Sequence, residues 1–239
     1  MPRIVRLLPA LYLLLSATHL YAEWQFSEFL VIATKPLLLL TLAAWAFIRL
    51  RPLRERFSKL LVTALLCSLA GDSFLMLVSY GPRIEHFFLV GLGSFLVAQV
   101  CYAMAFASFP EASKGHLVGA PWKSWPFVLY LFGIVAILWP GLKSDLQLPV
   151  ALYAISITAM ALSAMNLRNA LSRETYLGLM AGVLFFLLSD SLIGLSKFRP
   201  DALTLPNVRV WIMATYLGGQ FLISANILEA FTQRSATSD

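Results

Sequence analysis

SKLLVTALLCSLAGDSFLMLVS, residues 58–79, is long enough to cross a membrane and carries a single acid, Asp72, in its interior. At about 1.5 Å of rise per residue, about 20 apolar residues cover a hydrocarbon core of about 30 Å. A carboxyl group near the centre of such a span costs about 2.5–3.5 kcal/mol on insertion scales. It is therefore expected to face the helix bundle and to have a partner. A second run, FLLSDSLIGL at residues 186–195, repeats the arrangement around Asp190.

The rest of the chain is built the same way. Of 239 residues, 59% are hydrophobic and 13% are charged, where a soluble domain carries about one quarter charged residues. Eight helices are expected, at residues 4–22, 29–48, 58–79, 87–108, 125–140, 148–166, 175–196 and 209–230. The fold class is thus an all-α, polytopic membrane protein of eight transmembrane helices, one transmembrane domain over residues 1–239. Short connections rich in Pro, Gly and charge separate the spans, as in YGPRIE at 80–85 and KFRPDALTLPN at 197–207. A disordered tail is expected over 233–239. The first span reads alternatively as a signal peptide ending at HLYA, although Leu20 occupies the position that should be small.

Orientation follows from the basic residues. With the N-terminus inside, the inner side holds Arg3, Arg6, Arg49, Arg51, Arg54, Arg56, Lys59, Lys114, Lys123, Arg168, Arg173 and Arg234. The outer side holds Arg83, Lys143, Lys197, Arg199 and Arg209. Twelve against five favours both termini in the cytoplasm, and the short loops suggest a bacterial inner membrane. The net charge of +6 is explained by these loops beside anionic lipid, which removes nucleic acid as a partner. Tyr21, Trp24, Tyr80, Trp122, Trp125 and Trp139 fall near span ends as interfacial aromatics.

A weak internal repeat aligns the third span with the seventh and the fourth with the eighth. FLVAQVCYAMAF then lies against YLGGQFLISANI, pairing Gln99 with Gln220. Two parallel four-span halves, about residues 1–110 and 120–232, are the expected consequence. They set Asp72 and Asp190 at similar depth.

The acids Asp72 and Asp190 and the base Lys35 are read as the ionisable residues of span interiors. Lys35 lies in the outer half of the second span, Asp72 in the outer half of the third and Tyr153 in that of the sixth, with Gln99 and Gln220 near mid-span. One polar pocket opening toward the outer leaflet is expected to hold them all. Two aspartates sharing a pocket with one lysine are able to sit in different protonation states, which suits proton-transfer hydrolysis and equally a proton-coupled transporter or a lipid-binding protein. Blander readings exist for each: Lys35 as an anchor that snorkels to the interface, the glutamines as interhelical hydrogen bonds. Gly71, Gly91, Gly93, Gly218 and Gly219 read as positions of close helix approach. His19, His86 and His116 lack metal-ligand spacing, and Cys67 and Cys101 lack a partner motif, so no metal and no cofactor are expected.

The runs TKPLLLL, LAGDSFLML, GLGSFLVAQVCYAMAF, LYAISITAM, GVLFFLLSDSLIGLSKF and ATYLGGQFLIS, in that order, resemble the lysoplasmalogenase-like (YhhN-type) family of multi-span membrane proteins. The resemblance implies cleavage of the vinyl ether bond of a lysoplasmalogen, a vinyl-ether lysophospholipid, to a fatty aldehyde and a glycerophospho-ethanolamine or glycerophospho-choline. It carries Lys35, Asp72 and Asp190 over as site residues. The family often has a histidine where this chain has Gln99, and one near Gln220, so the proton work falls here to the aspartates.

Overall fold

A computed structural model of the chain describes residues 3–78 and 84–237. Tyr80 and Arg83 lie outside the described residues, as do the side chains of Arg3 and His86. The long helices are α1 (Arg3–Trp24), α2 (Glu28–Arg49), α3 (Arg56–Val78), α4 (Ile84–Ala107), α6 (Trp125–Leu138), α7 (Ser144–Asn166), α8 (Arg173–Phe198) and α9 (Val208–Thr237). A short helix, α5 (His116–Gly119), sits in the connection after α4. Among the described residues, eight helices are long and apolar enough to cross a membrane. The chain is an integral membrane protein of helices, as its composition dictates.

Local sequence sets the ends. Glu28 occupies the first turn of α2 and Arg49 its last, each the charge that complements the helix dipole there. Ser172 caps α8 by accepting from the Thr175 amide at 3.2 Å. Pro9, Pro36 and Pro149 lie inside α1, α2 and α7; each lacks the N–H of an ordinary helix bond, a loss that packed membrane helices tolerate. Two limits differ from expectation. Helix α9 continues to Thr237, so the tail expected from residue 233 is helical that far. Helix α1 reaches Trp24 and buries Glu23 at 4% exposure, adding a third acid to the two expected within spans.

The helices divide into two compact units, Met1–Tyr102 and Ala103–Asp239. In the first, α2 packs against α1 and α3, burying Leu38, Leu39, Leu42, Leu61 and Leu65 completely. Antiparallel α3 and α4 meet where Gly71 faces the Phe95 ring and Gly91 faces Leu75. In the second unit, α8 and α9 form the most extensive pairing. A Cβ on Gly182 would stand 2.8 Å from the Ile223 nitrogen, and one on Gly219 would stand 2.9 Å from the Gly182 oxygen. Both obstacles are backbone, so neither helix can retreat locally, which is the small-residue contact expected of membrane helices. Gly219→Leu is expected to destabilise the unit by about 1–3 kcal/mol through overpacking, measured as a lower unfolding temperature in micelles. Gly93→Ala should be neutral, because a Cβ there meets nothing within 4 Å; Gly93 is therefore not the close-approach position its sequence suggested.

Large apolar side chains point outward along the spans, with Leu7, Phe29, Phe132 and Leu148 all exposed. Lipid is the solvent that makes this arrangement stable. Tyr21, Trp24, Trp122, Trp125 and Trp139 are likewise exposed near span ends.

Candidate active site

In the first unit, α2 and α3 bring Lys35 and Asp72 together. The Lys35 Nζ lies 3.8 Å from Asp72 Oδ1, with side chains 15% and 6% exposed. That separation is an ion pair at the edge of contact. Gly71 makes the location possible: the Phe95 ring would lie 2.5 Å from a Cβ at this position, so its absence lets α4 close on α3 beside Asp72. The same antiparallel register carries Gln99 to the level of Cys67 and Ser68, one turn below Asp72. Gln99 is fully buried, and neither its amide nitrogen nor its amide oxygen has a hydrogen-bond partner; the hydroxyl of buried Ser68 has none either. Buried amides are ordinarily satisfied. Here two donor groups and two acceptors are unmatched: the amide N–H2 and carbonyl of Gln99 and the O–H and oxygen of Ser68. Tyr12 and Tyr102, both buried, lie within electrostatic range of one another, and Asp72 within range of Tyr12.

In the second unit, α7 and α8 bring Tyr153 and Asp190 together. The Tyr153 hydroxyl donates to Asp190 Oδ2 at 2.5 Å. On the next residue, Ser191 gives its proton to the Leu187 carbonyl at 2.7 Å. Its oxygen then accepts from the Tyr130 hydroxyl at 2.9 Å. Tyr130, on α6, was not foreseen as a site residue. The available signal was a single phenol inside WPFVLYLFGIVAIL, an otherwise apolar helix. Gln220 is fully buried on α9, with its amide nitrogen 3.4 Å from the Tyr216 hydroxyl one turn earlier. Tyr216 meets the Phe186 ring edge to face, centroids 5.5 Å apart.

Lys35, Asp72 and Gln99 thus belong to the first unit, and Tyr153, Asp190 and Gln220 to the second. Cys67 and Cys101 are free thiols. No group of three or more His, Cys, Asp or Glu side chains that could hold a metal ion occurs among the described residues.

His116 lies in the connection before the fifth span and has a charged neighbour. The Lys123 ammonium donates to His116 Nε2 at 3.0 Å. Desolvation first, then the charges of Lys123 and Arg168, lower the His116 pKa below its ordinary 6.5. An imidazole depressed in the folded state adds stability above its unfolded value and loses it as pH falls through the folded value. A His116 proton titration should therefore show a midpoint below 6.5, and Lys123→Met should raise it. A midpoint unmoved by that change would contradict the assignment of Lys123 as a cause.

Eight membrane-crossing helices with carboxyls on α3 and α8 define a polytopic membrane protein whose candidate chemistry lies within the hydrocarbon. Residues 30–227 match the YhhN family, and the chain belongs to it. Lysoplasmalogenase TMEM86A of Homo sapiens is 33% identical over 170 residues, covering 70% of this chain and 64% of that protein. Lysoplasmalogenase of Mycobacterium tuberculosis is 31% identical over 178 residues, 72% of this chain and 60% of its own. Lysoplasmalogenase TMEM86B of Sus scrofa is 30% identical over 174 residues, 73% and 66% respectively. The chain thus spans about three fifths to two thirds of the length of these relatives. No solved structure matches it. The family match includes Lys35, Asp72, Gln99, Tyr153, Asp190 and Gln220.

Proposed function

We infer that the protein is a lysoplasmalogenase, a membrane hydrolase that cleaves the vinyl ether of a lysophospholipid to a fatty aldehyde and glycerophospho-ethanolamine or glycerophospho-choline. The observation that carries this reading is the Lys35–Asp72 pair, 3.8 Å apart within the spans with its carboxylate buried, in a chain whose relatives bear that name. A lysolipid delivers its single chain into the same hydrocarbon.

The chemistry asks for one acid and one carboxylate. A carboxylic acid gives its proton to the β-carbon of the vinyl ether, and the π pair forms the new C–H bond, leaving an oxocarbenium ion. Water adds to that cation and loses a proton to a carboxylate; the hemiacetal then breaks its C–O bond to the glycerol oxygen, releasing aldehyde and alcohol. Two-carboxylate glycoside hydrolysis divides the labour in the same way. Asp190 is assigned the acid because Asp72 has the nearby lysine that favours the ionised form; Asp190 is held by the Tyr153 hydroxyl at Oδ2. Asp72 is assigned the carboxylate, with Lys35 as its countercharge, and Gln99 a contact to polar substrate atoms. Gln220 is assigned a supporting role through Tyr216. The loop charges support both termini in the cytoplasm, and the short loops support a bacterial inner membrane.

The test is product analysis. Purified protein in micelles should release aldehyde from 1-alkenyl lysophospholipids of either headgroup and leave the saturated alkyl-ether analogue intact, since that analogue has no π pair to protonate. No aldehyde from micelles, with lysolipid or proton flux across sealed vesicles, would replace this reading with transport.

A further inference from the structure

The connection from α4 to α6 is fastened to the end of α7 by one side chain. Asn166 Oδ1 accepts from the Leu117 amide at 2.9 Å, and its Nδ2 donates to the Ala112 carbonyl at 2.8 Å. The Asn166 amide also occupies the place where a Cβ on Gly115 would stand, so a glycine there lets the two segments close. Helix α5 is thereby held against α7.

The closure gathers positive charge. Lys123, just ahead of α6, is the residue whose ammonium meets His116 Nε2 at 3.0 Å. Arg168, two residues past Asn166, lies within electrostatic range of the same ring, with its guanidinium 5.1 Å over the Tyr176 ring. Lys114 is the nearest charge on the ring's own segment. His116, Lys123 and Arg168 are each half-buried, and among the described residues no carboxylate forms an ion pair with any of them. Like charges drawn partly out of water repel more strongly than solvated ones. An anion set between them reverses the sign of that interaction.

Their level in the membrane says which anion. Lys123 stands near the start of the span Pro121–Gly141, and Arg168 near the end of the next, Ser144–Asn169. Successive spans run in opposite directions, so both cations stand at one membrane face, where lipid phosphates lie. Trp122 and Trp125, on either side of Lys123 in the sequence, are exposed, and the Lys123 ammonium lies 5.8 Å from the Trp122 ring centroid. Such rings lodge among headgroups.

We propose that His116, Lys123 and Arg168 bind the phosphate of an anionic phospholipid at this membrane face, with Trp122 and Trp125 seated among the neighbouring headgroups. The phosphate oxygens accept from the Lys123 ammonium and the Arg168 guanidinium. An ammonium so engaged leaves His116 Nε2 free to take a proton, and the ring becomes a third donor. A zwitterionic lipid brings its own ammonium with the phosphate and forfeits the gain; a glycerol headgroup does not. Binding therefore raises the His116 midpoint, and by linkage it tightens as pH falls through that midpoint. The site uses neither Asp72 nor Asp190 and holds whether or not the hydrolase reading does.

The test is run on the full chain in micelles, following the His116 ring titration by NMR as phosphatidylglycerol, phosphatidylcholine or inorganic phosphate is added. Phosphatidylglycerol should raise the midpoint, and the other two should leave it in place. At about fivefold per basic residue, K123Q and R168Q should each weaken phosphatidylglycerol binding about fivefold and the double variant about 25-fold. K123R keeps the charge and should bind as wild type does. R54Q/R56Q removes equal charge from the α2–α3 connection and should leave the His116 response intact. Equal responses to the two lipids would overturn the proposal, as would K123Q and R168Q proteins that keep the wild-type unfolding temperature and bind like wild type. A response reproduced by inorganic phosphate would make this a free-anion site, and one lost in R54Q/R56Q would reduce it to general surface charge; either result contradicts the proposal.

Discussion

Asp72→Asn and Asp190→Asn should each lower aldehyde release by about 100-fold or more, the low end of what general acid–base groups contribute. Asparagine matches aspartate in shape and still accepts a hydrogen bond, so Tyr153 keeps a partner at residue 190, but an amide neither gives nor takes the reaction's proton. The Asp190 variant loses the proton delivered to carbon, and the Asp72 variant loses the carboxylate that faces the cation and the attacking water. In Asp72→Asn, Lys35 is left without its countercharge. Its side chain is already 15% exposed, and a long stem can turn toward the interface, so the protein should fold. The measurement is kcat on a vinyl-ether lysolipid alongside an unfolding temperature. A folded variant retaining half of the wild-type rate would remove that aspartate from the mechanism.

Lys35→Met should have the second largest effect, and it separates stability from activity. Methionine fills the space of the lysine stem but takes the Lys35 ammonium away from the Asp72 carboxylate, 6% exposed. Breaking a buried pair on one side costs about 3–5 kcal/mol, and the 3.8 Å separation argues for about 3. Removing both charges restores what removing one destroys, so Lys35→Met with Asp72→Asn should recover most of the stability and none of the activity. A double variant no more stable than Lys35→Met alone would show that the pair does not hold α2 to α3.

Much of this was legible in the sequence because membrane insertion is governed by composition. Eight apolar runs of span length gave eight helices, since backbone groups in lipid must bond within their own segment. The Lys35–Asp72 contact was legible too. The two helices are adjacent and antiparallel, so equal depth from the same face is enough to predict a meeting. Tyr153 and Asp190 also meet, on α7 and α8, a pairing that the sequence reading did not single out.

What was missed was hidden by boundaries and by chemistry that hydropathy does not weigh. Glu23 stands one residue beyond the expected end of the first span, where a charge looks interfacial; helix α1 carries it inward. The phenol of Tyr130 reads as hydrophobic bulk until its oxygen finds Ser191 across the gap between α6 and α8. The end of α9 was set at residue 230 because FTQRSAT is polar, yet polar residues continue a helix past the lipid at no cost. Gly93 and Gly219 both lie in apolar, glycine-containing runs, and only packing shows that one faces open space and the other a backbone.

The most direct measurement is aldehyde formation by the purified wild-type protein acting in micelles on a 1-alkenyl lysophospholipid. One aldehyde is expected for each glycerophospho-alcohol released, and none from the saturated alkyl ether. Intact vinyl-ether lysolipid after prolonged incubation with folded protein would contradict the hydrolase reading.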